Sequence, residues 1–233
     1  MTSKFKHKSD LQHPYYQKPE RERKKFRIQL ISYSLLILLS VSLISYFYGI
    51  YFLPFLFTWI TLTVLAPFFD VPFLVKSGRL KYYSTLLLAE KTKDSIIIHG
   101  GTLFDYYFVL NRDSPGSKRK AFILQQYLEG LLELIKEDGN PDLPVEGTTY
   151  ILNQRTAEKI GFTASKPDFI KSLILLLNYP NLLVSGSFAG NKLLFPKLNN
   201  IRTFKASIGE LRENKARIES LNKKIKSSIN GDQ

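Results

Sequence analysis

The sequence predicts a membrane-anchored α+β protein. Three observations carry that reading. Forty-two residues, Ile28 to Phe69, contain no Lys, Arg, Asp or Glu. Behind them, β-rich runs mix with segments of helical period. The basic excess of the chain, net charge +13, sits mostly at its two ends. The expected order is a basic disordered tail (1–27), a two-helix transmembrane hairpin (28–69), a cytosolic α+β domain (70–203), and a C-terminal amphipathic helix with a short tail (204–233). The domain is expected to hold two β-hairpins plus a strand, covered by helices.

The uncharged run is too long for one span. A bilayer core of about 30 Å takes roughly 20 helical residues, and forty-two residues at ~1.5 Å each would reach about 63 Å. The break falls at Gly49–Pro54, because glycine relaxes the backbone and proline opens helices rather than sitting inside them. The run starts too late and lasts too long for a cleaved signal peptide. No ionisable group lies inside either span, and an ion path would need one. The hairpin therefore reads as an anchor in a plasma or inner membrane. Arg23, Lys24, Lys25 and Arg27 abut the first span as a membrane-surface basic cluster. They fix topology by the positive-inside rule and can attract anionic lipid. Lys76, Arg79 and Lys81 follow the second span, so both termini and the domain are expected on the cytoplasmic side. Residues 71–83 suit either the interface or the start of the core, and both readings stay open.

Residues 71–196 are nearly charge-balanced, which argues against a nucleic-acid-binding face. The chain has no cysteine, so disulfide and thiol chemistry are excluded.

Within the domain, Ser95–His99 and Thr102–Leu110 are β-rich, and Gly100-Gly101 between them predicts a tight hairpin turn. His99 and Asp105 invite an acid–base reading. The other two histidines, His7 and His13, lie in the tail, so neither a His-based metal site nor a Ser-His-Asp set finds support. Lys118–Glu137 has helical spacing, with Ser117 as its expected cap. Its first turn, Lys118-Arg119-Lys120, places three cations at the positive end of the helix dipole, where acids are favoured. Ser117, Lys118, Arg119 and Lys120 are thus candidates for binding an anion or lipid headgroup.

Thr148–Leu152 reads as a strand, Gln154–Ile160 as a short helix stopped by Gly161, and Pro167–Leu177 as a buried helix capped at Ser165. The last contains Lys171 and is too short for a third transmembrane helix. Asn181–Ser185 and Lys192–Phe195 read as a second hairpin. Phe204, Leu211, Ile218 and Ile225 recur every seven residues, which makes Phe204–Ile229 a helix able to meet a protein partner or a second copy.

No nucleotide-binding, kinase, hydrolase or zinc motif is present. No cofactor or metal is expected and no catalytic residue is assigned. The leading expectation is a non-enzymatic interaction or scaffold module presented at the membrane. The alternative is an enzyme or binder acting on a phosphorylated or lipid-linked ligand. The topology is directly testable: reporter fusions at Gln17, Gly49 and Gly231 should report inside, outside and inside. An inside signal at Gly49 with an outside signal at Gly231 would overturn the hairpin.

Overall fold

The computed structural model describes residues 13–149 and 154–230. Residues 1–12 of the expected tail, Tyr150-Ile151-Leu152 of the expected strand, and the last three residues lie outside that range.

Two helices are long and apolar enough to cross a membrane: α2, Glu20–Tyr48, and α3, Leu53–Lys76, preceded by the short α1, Pro14–Gln17. The hairpin breaks where glycine and proline require it. Gly49 closes α2 in the left-handed region at φ 69°, and Pro54 lies in the first turn of α3. Inside the spans, the Ser34, Ser40, Thr58 and Thr63 hydroxyls donate to carbonyls three or four residues back, so none is left unsatisfied in lipid. The basic cluster is not in a disordered tail. Arg23, Lys24, Lys25 and Arg27 occupy the first turns of α2, continuous with the span. The Arg23 guanidinium stands 5.8 Å from the centre of the Tyr15 ring.

The domain is built on a six-stranded mixed sheet, ordered β1-β2-β3-β4-β6-β5. The strands are β1 Lys81–Tyr82, β2 Leu87–Lys91, β3 Ile96–Gly100, β4 Pro144–Thr149, β5 Thr163–Ser165 and β6 Arg202–Ser207. β3 and β4 are parallel, and the other neighbours are antiparallel. Parallel neighbours need a crossover, and here it is supplied by α4, Leu103–Val109, and α5, Gly116–Glu137. The remaining helices are α6 Gln154–Lys159, α7 Phe169–Leu177, α8 Tyr179–Gly190, α9 Ile208–Glu213 and α10 Lys215–Asn230.

Four sequence expectations are corrected. Gly100-Gly101 is not a hairpin turn. Gly100 ends β3, whose hairpin partner is β2 through a turn at Thr92–Ser95. Neither glycine has positive φ. Gly100 is required for space, since a Cβ there would lie 1.9 Å from the Tyr127 hydroxyl. Next, Thr102–Leu110 is a helix, not a strand. Thr102 and Asp105 form a capping box, which overrides the strand preference of the aromatic residues. The second hairpin is also absent, because Asn181–Ser185 lies in α8. Finally, Phe204 belongs to β6, and the C-terminal helices start at Ile208.

Two cores result. The larger one packs the α5 face Ile123, Leu128, Leu131 and Leu134 against Leu87, Ile96, Val145 and Phe204 of the sheet. α10 lies on α5, with Ile218 buried and Ile225 half-buried against the core. The heptad stripe is therefore consumed within the domain and is not open to a partner. The second core joins anchor to domain. Tyr15 of α1 and Phe68 and Val71 of α3 pack with Leu80, Tyr82, Leu88, Leu103 and Phe104. α4 is the wedge between the two cores. Leu103, Phe104, Tyr107 and Phe108 face the anchor, while Tyr106 and Leu110 face the larger core. Residues 71–83 accordingly divide: Val71, Leu80, Tyr82 and Tyr83 are buried, and Phe73 points outward.

This shared core changes what should fold alone. A fragment from Tyr82 to Leu198, which charge balance suggests is autonomous, lacks β6 and the partners Tyr15, Phe68 and Val71. It should show no cooperative thermal transition in detergent-free buffer, whereas the full chain in mild detergent should melt cooperatively.

Candidate functional site

Asp105 is fully buried. Its Oδ2 accepts from the Thr102 amide at 2.7 Å and the Thr102 hydroxyl at 2.8 Å. Its Oδ1 accepts from the Tyr82 hydroxyl at 2.5 Å. The Nε2 atom of His13 lies 3.3 Å from the same oxygen. His13 is fully buried as well, and its Nδ1 accepts the Tyr15 amide at 3.3 Å, which caps α1. That bond puts the ring proton on Nε2, facing the carboxylate. The imidazole stacks on Phe104 with 5.4 Å between ring centres and 6° between planes. Burial, followed by the Asp105 charge, pushes the Tyr82 hydroxyl well above the ordinary tyrosine value, so it stays a donor.

A His-Asp-Tyr cluster suggests catalysis, but its geometry is that of a structural knot. Both carboxylate oxygens are committed and aromatic rings close the surroundings. The sequence marks Asp105 as a polar group in an apolar run, which needs a partner. It gives no sign of His13, because ninety-two positions of chain, including both spans, separate the two residues. His99 is not part of the cluster; it sits in β3 opposite Leu88. Among the described residues, no group of three or more His, Cys, Asp or Glu side chains is placed to hold a metal.

The basic helix start resolves into separate roles. α5 begins at Gly116 with Pro115 as its cap residue, so Ser117 is inside the helix and exposed rather than capping it. Arg119 is buried, 5% exposed. Its Nε donates to the Asn111 carbonyl at 3.0 Å, Nη1 to the Phe188 carbonyl at 2.7 Å, and Nη2 to the Arg112 carbonyl. It also lies over the Phe188 ring. Arg119 thus sews the loop before α5 to the end of α8. Gly116 meets Gly190 there so closely that a Cβ would fall 1.9 Å from the Gly190 carbonyl oxygen. Lys118 is half-buried and Lys120 exposed.

Lys120 opens onto a cleft. The cleft has a volume of ≈ 520 Å³ and lies between α5, the end of α8 and the extended strap Leu194–Lys197. Ala121, Leu124, Ala189 and Phe195 supply apolar lining, and Lys120 and Lys197 supply charge. Known ligand pockets run roughly 300–1,000 Å³, apolar with a few placed polar groups. Phe195 on the strap is 65% exposed, and Leu193 just before it is 68% exposed. Sequence reasoning reached Lys120 through the helix-dipole conflict but missed the strap, which it read as a strand.

In comparison with known proteins, the chain matches no family model, no curated protein and no solved structure.

The roles of Arg119 and Lys120 separate experimentally. Arg119→Gln strands buried carbonyls and should destabilise the protein by about 2 kcal/mol or more, read as a lower midpoint in a denaturation series. Lys120→Gln should leave the midpoint unchanged. A triple Lys118, Arg119, Lys120→Gln variant should therefore be less stable, contrary to what like-charge repulsion alone suggests.

Proposed function

We propose that this chain is a membrane-embedded, non-enzymatic binding module whose α+β domain lies at the cytoplasmic face and takes up an anionic amphiphile in the Lys120–Lys197 cleft. The cleft is the observation that carries this reading. It combines apolar walls, which suit an acyl or prenyl tail, with two exposed lysines, which suit a phosphate or carboxylate head. Its rim carries the exposed Phe195, a side chain that favours the headgroup boundary of a bilayer. The basic flanks of the hairpin support the cytoplasmic orientation. The lack of a catalytic constellation among the described residues supports binding over turnover. The packed seam between anchor and domain supports it too, since it ties the domain to the apolar helices.

The test uses the full chain purified in mild detergent and native mass spectrometry of bound lipid. An anionic lipid should remain on the wild type and be lost from the Lys120→Glu, Lys197→Glu double variant, whose melting should be unchanged because both residues are exposed. Equal retention by the two proteins would remove the cleft as the site. Adding a soluble fatty acyl phosphate to delipidated protein distinguishes a free amphiphile from a bilayer lipid. A co-purifying protein that masks Lys120 instead of a lipid would favour the scaffold reading.

A further inference from the structure

α7 presents an apolar face with nothing of its own domain over it. Phe169, Ile170, Leu173, Ile174, Leu176 and Leu177 are 44–82% exposed. At helical spacing they cover one continuous side, and Lys171 and Leu175 lie on the other. Lys171 there bonds Glu146 of β4, which also takes Lys205 of β6 at 3.0 Å. The bonded Lys171, aided by Lys205 and opposed by partial burial, holds the Glu146 carboxyl below its usual range. α7 thus rests on the sheet by its polar side and turns its apolar side outward.

The position of its far end identifies what covers that side. The Trp59 indole donates to the Leu177 carbonyl at 3.1 Å. Trp59 is in the second turn of α3, eleven residues before Asp70. At ~1.5 Å per residue that is about 16 Å along the helix from the first charged side chain, inside the stretch that a hydrocarbon layer of about 30 Å would cover. α7 and α8 meet at this point with a bend of 71°. α8 then turns aside along α3 and α4 to Phe188, whose carbonyl Arg119 binds. Both ends of the pair are therefore fixed to the same domain, by Lys171–Glu146 and by Arg119–Phe188. The pair enters and leaves on one side.

The break is also equipped for lipid. An interrupted helix exposes carbonyls, which water satisfies at no cost but hydrocarbon does not. Here the Asn178 side-chain amide and backbone amide both donate to the Ile174 carbonyl at 2.9 Å, and Trp59 satisfies Leu177.

We infer that α7 and α8 form a re-entrant membrane element, dipping beside α3 into the leaflet that borders the domain, with the outward face of α7 covered by the acyl chains of that leaflet. The anchor then has three parts rather than two. This inference does not depend on the cleft or on any ligand.

The chain has no cysteine, so single cysteines can be introduced at Phe169, Ile174 and Leu177 and carry a nitroxide label. Leu62 on the hairpin serves as the lipid reference and Asp113 in an exposed loop as the aqueous one. The full chain is reconstituted in liposomes, and relaxation by oxygen and by a water-soluble nickel chelate is measured. Ile174 and Leu177 should lose nickel relaxation and gain oxygen relaxation as Leu62 does, with Phe169 shallower. Nickel relaxation at Ile174 and Leu177 equal to that at Asp113 would overturn the inference and leave the face to a protein partner. Each position is solvent-side in the fold, so the label leaves the packing intact, and a cooperative melt verifies it.

Discussion

The structure depends on one buried carboxylate. Asp105 is bonded by its own helix cap at Thr102, by Tyr82 of the first strand, and approached by His13 from before the anchor. A carboxylate taken from water is tolerated only when its oxygens are satisfied. Here satisfaction joins the cap of α4 to the first strand, and His13 packs against the same carboxylate from before the anchor. Once these meet, α4 is oriented with one side to the anchor and one to the sheet. The position of every membrane helix relative to the strands follows from that wedge.

The membrane hairpin was legible because lipid imposes a one-dimensional rule. Charge must be absent for about 20 residues, and the turn must fall at residues such as Gly49 and Pro54. α5 and α6 were legible by period and by punctuation such as Gly161, whereas α7, expected buried and capped at Ser165, is capped by Asp168 with Ser165 in β5 and has no buried residue. α4 was not legible, since its aromatic residues carry strand preference and its helical state rests on Thr102-x-x-Asp105 and on having two cores to face. α8 failed for a related reason. Asn181–Ser185 is too apolar for a surface helix, and only the neighbouring α3, α4 and α5 explain why it is one.

The candidate site was half legible. Three adjacent cations at a helix start marked a real tension, and Lys120 does border a cleft. The tension at Arg119 is relieved differently, by carbonyls of Asn111, Arg112 and Phe188, which are up to sixty-nine positions away. Local patterns reveal that a charge needs a partner but not whether a ligand or the chain's own backbone provides it. Heptad spacing at Leu211, Ile218 and Ile225 misled in the same way: it correctly marked an apolar stripe, which α5 covers.

The aromatic seam between α3 and the sheet has a consequence for biosynthesis. Tyr82 and Phe104 find their partners only when α3 presents Phe68 and Val71 and Tyr15 folds back from before α2. If α2 and α3 enter a bilayer, their insertion and the completion of the domain become one event. A chain that misses the translocation machinery keeps an open apolar edge and an unfinished capping knot. Chaperones and proteases recognise such features, so the cell can discard uninserted copies without a dedicated signal.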